Sequence, residues 1–445
     1  MAHRFVCFSA VALTVTMGAC NSSSIASSVP PVSSVSPVAR SWAESGFYPM
    51  AGSNAAYPAC PLRTRKAGEW RCFAWVRRDL RALDDRPNGI PEGVGYGPSD
   101  LASAYGLNPA QGVGQTVAVV DAYQYYTAAY DLAKYRAAAG LPPCTTSSGC
   151  LRIINQEGKK TPLPPLAPAY ALGWLVEQAL DLEAVSAVCP RCKIVLVETN
   201  TASAYDLLAG VQTALARSRI VSMSFGAAEK EAGRVSLLPA SGYALVAGAG
   251  DSGGGLLSGG PQAPCVWNAV ICVGGTMLTH AGNKWKSVVW NDEQVNECGG
   301  PCGATGSGCS KVVFKPRWQH DAGCAMRSET DISADASIRT PFAVYSSVFP
   351  GTASHPGLHW AGVAGTSLAA PMIAAMIGLA GNASRLHGAE EIWEHHESLT
   401  GVLRGTNVYP PVTGACASGV RYICVARQGY DGPAGWGSPR GISDL

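Results

Sequence analysis

Charge is what this sequence has least of. Charged residues are 14% of its 445, and 33 Lys plus Arg nearly cancel 31 Asp plus Glu. Such a chain has no basic field with which to hold a nucleic acid, so no nucleic-acid partner is expected. No internal repeat is visible, and none of the eight histidines stands in a His-Gly-Thr-His setting. The longest nearly uncharged stretch, Ala361 to Gly381, is broken by Gly365-Thr366-Ser367 and Pro371, which predicts a turn and an Ala-rich core helix rather than a membrane span. What is abundant is glycine (51), proline (30) and hydrophobic residues (47%), the composition of a folded globular protein with many turns.

At the N-terminus, Arg4 is followed by an apolar run from Phe5 to Met17 and then Met17-Gly18-Ala19-Cys20. This reads as a secretory signal over residues 1–19, with Cys20 the first mature residue and a lipid-acceptor position; ordinary cleavage nearby is the alternative. Residues 20–58 are a Ser/Pro-rich tether, and 59–94 form a short cysteine-containing segment. Sixteen cysteines are present, and setting aside Cys7 and Cys20 leaves fourteen in short local pairs: 60/72, 144/150, 189/192, 265/272, 298/302, 309/324 and 416/424. An oxidising compartment follows, at the bacterial periplasm, cell surface or outside the cell. Cys189-Pro190-Arg191-Cys192 precedes an apolar strand, so a structural bridge is favoured over a redox pair or zinc site.

From about Gly95 short apolar runs alternate with helices. Strands are expected at Thr116–Asp121, Ile194–Glu198, Ile220–Ser224, Ala244–Ala247 and Val270–Val273, and helices at Tyr130–Ala139 and Leu172–Val188. The fold class is therefore α/β, a parallel sheet covered on both faces, with functional groups at the carboxyl ends of its strands.

The chemistry centres on Gly365-Thr366-Ser367-Leu368-Ala369-Ala370-Pro371. Glycine admits a close approach, Ser367 starts a helix whose free N–H groups can stabilise an oxyanion, and Pro371 suits the first turn. A plain serine N-cap is the other explanation. A nucleophilic serine needs a base. His395-His396 lies among Glu394 and Glu397 and reads as solvated surface. Glu177 and Asp181, four apart on one helix face, would repel for no structural return, yet a partly buried pair shares a proton and makes a usable base. Glu183 is expected to point to solvent. Asp251, in a glycine-rich loop after a strand, is either a turn residue or, protonated, an oxyanion donor.

These motifs resemble the sedolisin family, the serine-carboxyl peptidases of subtilisin-like, doubly wound fold in which glutamate replaces histidine. The matching stretches run from about Tyr96 to Leu445: Gly112 to Tyr123, the Glu177 and Asp181 helix, Val221 to Gly226, Ala249 to Gly253, Val273 to Thr276, the Ser367 motif and Gly429 to Pro433. Together they are far more specific than any one alone. The resemblance implies a peptidase domain over 95–445 with Ser367 as nucleophile, Glu177 as general base and then acid, Asp181 orienting Glu177, and Asp251 as oxyanion acid. Asp121, at the strand end where a subtilisin keeps its triad aspartate, is taken as structural because the histidine motif is missing.

Three departures stand out. Ala364 replaces a usual glycine, and the long prodomain of the family does not fit between Cys20 and Gly95. The family's calcium site would use Asp431, but its second aspartate is Gly401 here, and losing a carboxylate weakens a hard-cation site. No other cofactor is implied. The expectation is an exported, monomeric serine-type endopeptidase acting on polypeptides, most active at about pH 3 to 5 from carboxyl reference values. The rivals are a non-catalytic surface lipoprotein that keeps the fold as a binding module, and a histidine-based peptidase working at neutral pH.

Overall fold

Runs of β-branched residues with no interior charge make the centre of the molecule. Strand Thr116–Ala122 is buried from its second residue on, and its alternate side chains face opposite ways: Val117 meets Gly378, whereas Val120 meets Gly210. The structure is a computed structural model that describes residues 56–62, 66–77, 89–232, 238–255, 260–282, 284–293, 298, 302–349, 359–408, 416–443 and 445. The signal segment, Cys20, most of the tether, His3 and His355 lie outside the described residues.

In chain order the strands are β1 (Ala56–Pro58), β2 (Arg71–Cys72), β3 (Trp75–Arg77), β4 (Thr116–Ala122), β5 (Leu151–Asn155), β6 (Lys193–Thr199), β7 (Ile220–Met223), β8 (Phe225–Ala228), β9 (Ala244–Gly248), β10 (Gln262–Ala263), β11 (Val270–Ala281), β12 (Lys284–Val289), β13 (Cys309–Phe314), β14 (Met326–Ser328), β15 (Ile332–Asp335), β16 (Phe342–Tyr345) and β17 (Trp360–Ala364). The longer helices are α1 (Pro98–Tyr105), α2 (Ala128–Ala138), α3 (Gly173–Val188), α4 (Ala204–Leu215) and α5 (Thr366–Ala380).

The main sheet runs β12-β11-β9-β7-β4-β6-β5, with β15 also parallel to β11. Every pairing from β5 to β11 is parallel, and only β12 is antiparallel. Chain order reverses between β4 and β7, so the crevice beyond their carboxyl ends is where an α/β fold of this kind binds its ligand. Helix α4 covers one face of the sheet; α3 and α5 pack on each other over the opposite face. A helix hydrophobic all round is a core helix. All sixteen residues of α3 are buried, as are fourteen of the fifteen of α5, so any acid on α3 is buried with it.

A second sheet, β1-β3-β17-β16, brings the N-terminal segment into the body of the fold, and β2 pairs with β8 in a third. The short segment read at 59–94, where it is described, is thus paired into the sheets of the main body. Seven disulfides join the seven local pairs read from the sequence. The Cys189–Cys192 bridge is fully buried between Gly112 and Gly378, a structural position.

Three local expectations are corrected. Thr366 and Ser367, expected in a turn, already lie in α5, which follows strand β17 directly through Gly365. Pro371 lies inside α5, past its first turn, because the helix already starts at Thr366, directly after its N-cap Gly365. Glu183 is buried, not solvated: its Oε2 accepts the Tyr345 N–H at 2.9 Å and ties α3 to β16. Among the described residues no helix is long and apolar enough to cross a membrane.

Candidate active site

Ser367 is the second residue of α5. The helix is preceded by Gly365 at φ 103°, a conformation costly for any side chain. Because Pro371 has no N–H, the Ser367 carbonyl lacks its helical partner. Ser224, just beyond β7, lies across that gap, with its hydroxyl 3.3 Å from the Ser367 carbonyl and 2.8 Å from Asp181 Oδ1, to which it donates. The Ser367 hydroxyl donates to the Ser224 carbonyl at 3.2 Å and accepts the backbone N–H of Phe73 at 3.0 Å.

Glu177 and Asp181 sit one turn apart on α3, both wholly buried. Burial pushes the Glu177 carboxyl well up and the neighbouring Asp181 charge pushes it further, while the nearby Ser367 hydroxyl and Ala74 N–H pull it down, although neither Glu177 oxygen has a hydrogen bond while Ser367 donates to Ser224. Burial also raises Asp181 against the Ser224 hydrogen bond. Asp121, at the end of β4, has both carboxyl oxygens buried without a hydrogen bond. Burial, then Asp181, then Glu177, raise its pKa well above the usual range. Its carboxyl thus lies within electrostatic reach of the Asp181 and Glu177 pair, and no hydrogen bond ties it to Ser367.

Asp251 follows β9. Its Oδ1 accepts the Thr366 N–H at 2.9 Å and the Thr366 hydroxyl at 2.8 Å, while Oδ2 is buried without a partner. Burial pushes its carboxyl up to about 7, against the Arg71 guanidinium and the Thr366 hydrogen bonds that pull it down. A neutral carboxyl fixed on one oxygen and free on the other is built to donate. Oδ2 borders the space beside Gly365, where the Phe73 carbonyl oxygen also lies.

Four residues expected from the sequence, Ser367, Glu177, Asp181 and Asp251, thus converge from α5, α3 and β9. Among the described residues no histidine hydrogen-bonds to Ser367; His395 pairs at 3.7 Å with Glu391, and His396 stacks on Trp436. Sequence reasoning missed the part played by Ser224, for which the only signal was a serine at a strand end, and the Phe73–Ala74–Trp75 strand, which carries no motif. Ala364 is buried at the end of β17, paired with Trp75, and its methyl group joins a small cluster with Ala56 and Trp290. An apolar cavity of about 560 Å³ lined by Leu238, Trp267, Val312, Phe314 and Trp318 shares no residue with this site.

Asp431 does not fit a calcium ligand set. Its two oxygens accept the backbone N–H groups of Arg427 and Ala434, both at 3.0 Å, and burial raises it to about 7. Gly401 offers no side-chain oxygen, whereas Ca²⁺ takes six to eight oxygen ligands. The only cluster of three metal-type side chains among the described residues, Cys265, Cys272 and Glu329, contains a disulfide.

Residues 172–408 match the model of the subtilase family of peptidases. Among solved structures, the Pseudomonas sedolisin, a serine-carboxyl proteinase solved with pseudo-iodotyrostatin, is similar at 20% identity and a TM-score of 0.62, over 78% of this chain and 95% of that one. At that identity the likeness shows the fold, a subtilisin-like one. Sphericase is matched at 14% identity and a TM-score of 0.43, over 78% of this chain and 98% of its own. No curated protein matches the sequence.

Proposed function

The chain belongs to the subtilase family, and from that premise we propose that it is an exported serine-carboxyl endopeptidase, of the sedolisin kind, working in acid through Ser367, Glu177 and Asp181. The observation that carries the reading is the buried Glu177, with the Ser367 hydroxyl beside it and Asp181 one helical turn behind, where a histidine would otherwise be needed. Glu177 takes the Ser367 proton as Oγ attacks a peptide carbonyl, and returns it to the leaving amine. Asp181, held by Ser224, keeps Glu177 oriented and shares its proton load. Asp251 donates from its free oxygen to the tetrahedral oxyanion, together with the N–H groups at the start of α5. Water then repeats the sequence on the acyl-enzyme.

The pH dependence follows from opposite needs, since Glu177 must be ionised and Asp251 protonated. Activity therefore fails as pH rises through the Asp251 value, about 7 in the closed site, and fails again as pH falls through that of Glu177, which burial and Asp181 hold above the usual carboxyl range. Seven disulfides support an oxidising location. Lipid attachment at Cys20 remains part of the proposal and is read by mass spectrometry of the membrane-extracted protein. The peptidase reading is tested by cleavage of an unfolded protein from pH 3 to pH 8, with Ser367→Ala and Glu177→Ala alongside. Acid-limited cleavage lost in both variants is expected; a neutral optimum indifferent to Glu177 would sink it.

A further inference from the structure

A stretch of this chain lies across its own nucleophile. Arg71 and Cys72 pair antiparallel with Gly226 and Phe225 of β8, and the Phe73 N–H continues that edge to the Ser224 carbonyl at 3.3 Å. Two residues later the strand has crossed to the other side, with Trp75, Val76 and Arg77 pairing antiparallel with Ala364, Val363 and Gly362 of β17. Phe73 and Ala74 are the residues between the two ladders, and they span Ser367. A peptide held as an added strand on exposed edges is a standard mode of recognition, in which backbone pairing gives affinity and pockets for side chains give choice.

The contacts at the crossing set the Phe73–Ala74 bond among the groups that would cut it. The Phe73 N–H is 3.0 Å from Ser367 Oγ. The Phe73 carbonyl lies against Gly365 so closely that a Cβ there would meet its oxygen at 1.9 Å, and the free Asp251 oxygen borders the same space at 2.8 Å. The Ala74 N–H, on the amine that would leave, is close enough to pull the Glu177 carboxyl down, although neither Glu177 oxygen is hydrogen-bonded. The Phe73 ring is buried with its tip against Gly226, where a Cβ would stand 2.9 Å away, and Gly250, where it would stand 3.6 Å away; the Arg71 guanidinium lies 5.2 Å above it.

Resting on the peptidase reading, we propose that Phe73–Ala74 is a substrate bond of this enzyme, cut by its own Ser367, and that the same pocket selects an aromatic residue before the cleaved bond and a small one after it. Ser367 Oγ bonds to the Phe73 carbonyl carbon, the bond from that carbon to Ala74 N breaks, and Glu177 carries the Oγ proton to the Ala74 amine. Water then splits the ester, leaving a carboxylate on Phe73 and free Ser367. Cys60 and Cys72 both precede the cut, so their bridge does not tie the severed piece to the rest. The piece departs with β1 and β2 and opens the cleft, while β3 stays on β17 behind a new N-terminus at Ala74.

The experiment incubates the folded, disulfide-bonded chain at pH 4 with denatured casein, reading intact mass of the chain and the cleaved bonds in casein from the same tube. Ser367→Ala and Phe73→Asp are run in parallel. The expected result is a wild-type form beginning at Ala74, an intact Ser367→Ala chain, self-cleavage slowed about tenfold or more in Phe73→Asp, and casein cut after Phe, Tyr or Trp. Casein cut without aromatic preference while the 73–74 bond stays intact overturns this inference and leaves the peptidase reading standing. A chain that cuts neither casein nor itself overturns both.

Discussion

Single atoms decide what Ser367 can do. Replacing Glu177 by Gln keeps the shape but removes the base, and the expected loss is about 10⁴ in kcat with KM little moved, measured on a peptide carrying Phe-Ala. Asp251→Ala removes one oxyanion donor and should cost about 10² to 10³ in kcat, while Asp251→Asn, which donates at every pH, should recover part of that and flatten the alkaline fall. If Asp251→Ala leaves kcat unchanged, its place in the site is only structural. These residues were legible because they sit in short runs whose chemistry is local: a serine after glycine at a helix start, two acids four apart, an acid in a glycine-rich loop. Asp121 was read as structural; its electrostatic coupling to Asp181 and Glu177 comes from α3 packing over β4, which is long-range information.

At the scale of elements, α3 carries acids into the buried core. Glu183 shows the cost and its remedy: one oxygen holds the Tyr345 N–H of β16, the other has no partner, and burial keeps the carboxyl raised. Glu183→Gln, uncharged and able to keep the same bond, should leave stability nearly unchanged. Glu183→Ala strands the Tyr345 N–H and should cost about 1 to 3 kcal/mol, read by chemical denaturation. Equal losses in the two variants would show that the charge matters, not the hydrogen bond. The central strands and both long helices were legible because apolar runs and breakers are local signals. The β1–β3 additions were not, since Trp70 to Arg77 has no periodicity that distinguishes a strand over a cleft from a packed loop. Its partners on β8 and β17 lie more than one hundred and fifty residues away.

Across the whole molecule the buried carboxyls make acid the natural condition. Asp251, Glu198 and Asp431 are each raised by burial to about 7. The folded chain therefore binds more protons than the unfolded one between about pH 4 and pH 7, and stability falls as pH rises through that window. Thermal unfolding should show a higher Tm at pH 4.5 than at pH 7.5; the reverse order would mean that these acids are ionised in the fold. The same protons keep Asp251 ready to donate, so stability and activity share a pH range. On the self-cleavage proposal, the segment Arg71 to Trp75 that lies across Ser367 keeps the peptidase inactive until it is cut or leaves.

The most direct measurement of the central claim is acid-quench mass spectrometry of the chain mixed with a Phe-Ala ester or peptide at pH 4. An acyl group on Ser367, present in the wild type and missing in Glu177→Gln, is expected. An acyl group on another residue, or one that forms on Ser367 equally fast without the Glu177 carboxylate, would contradict it.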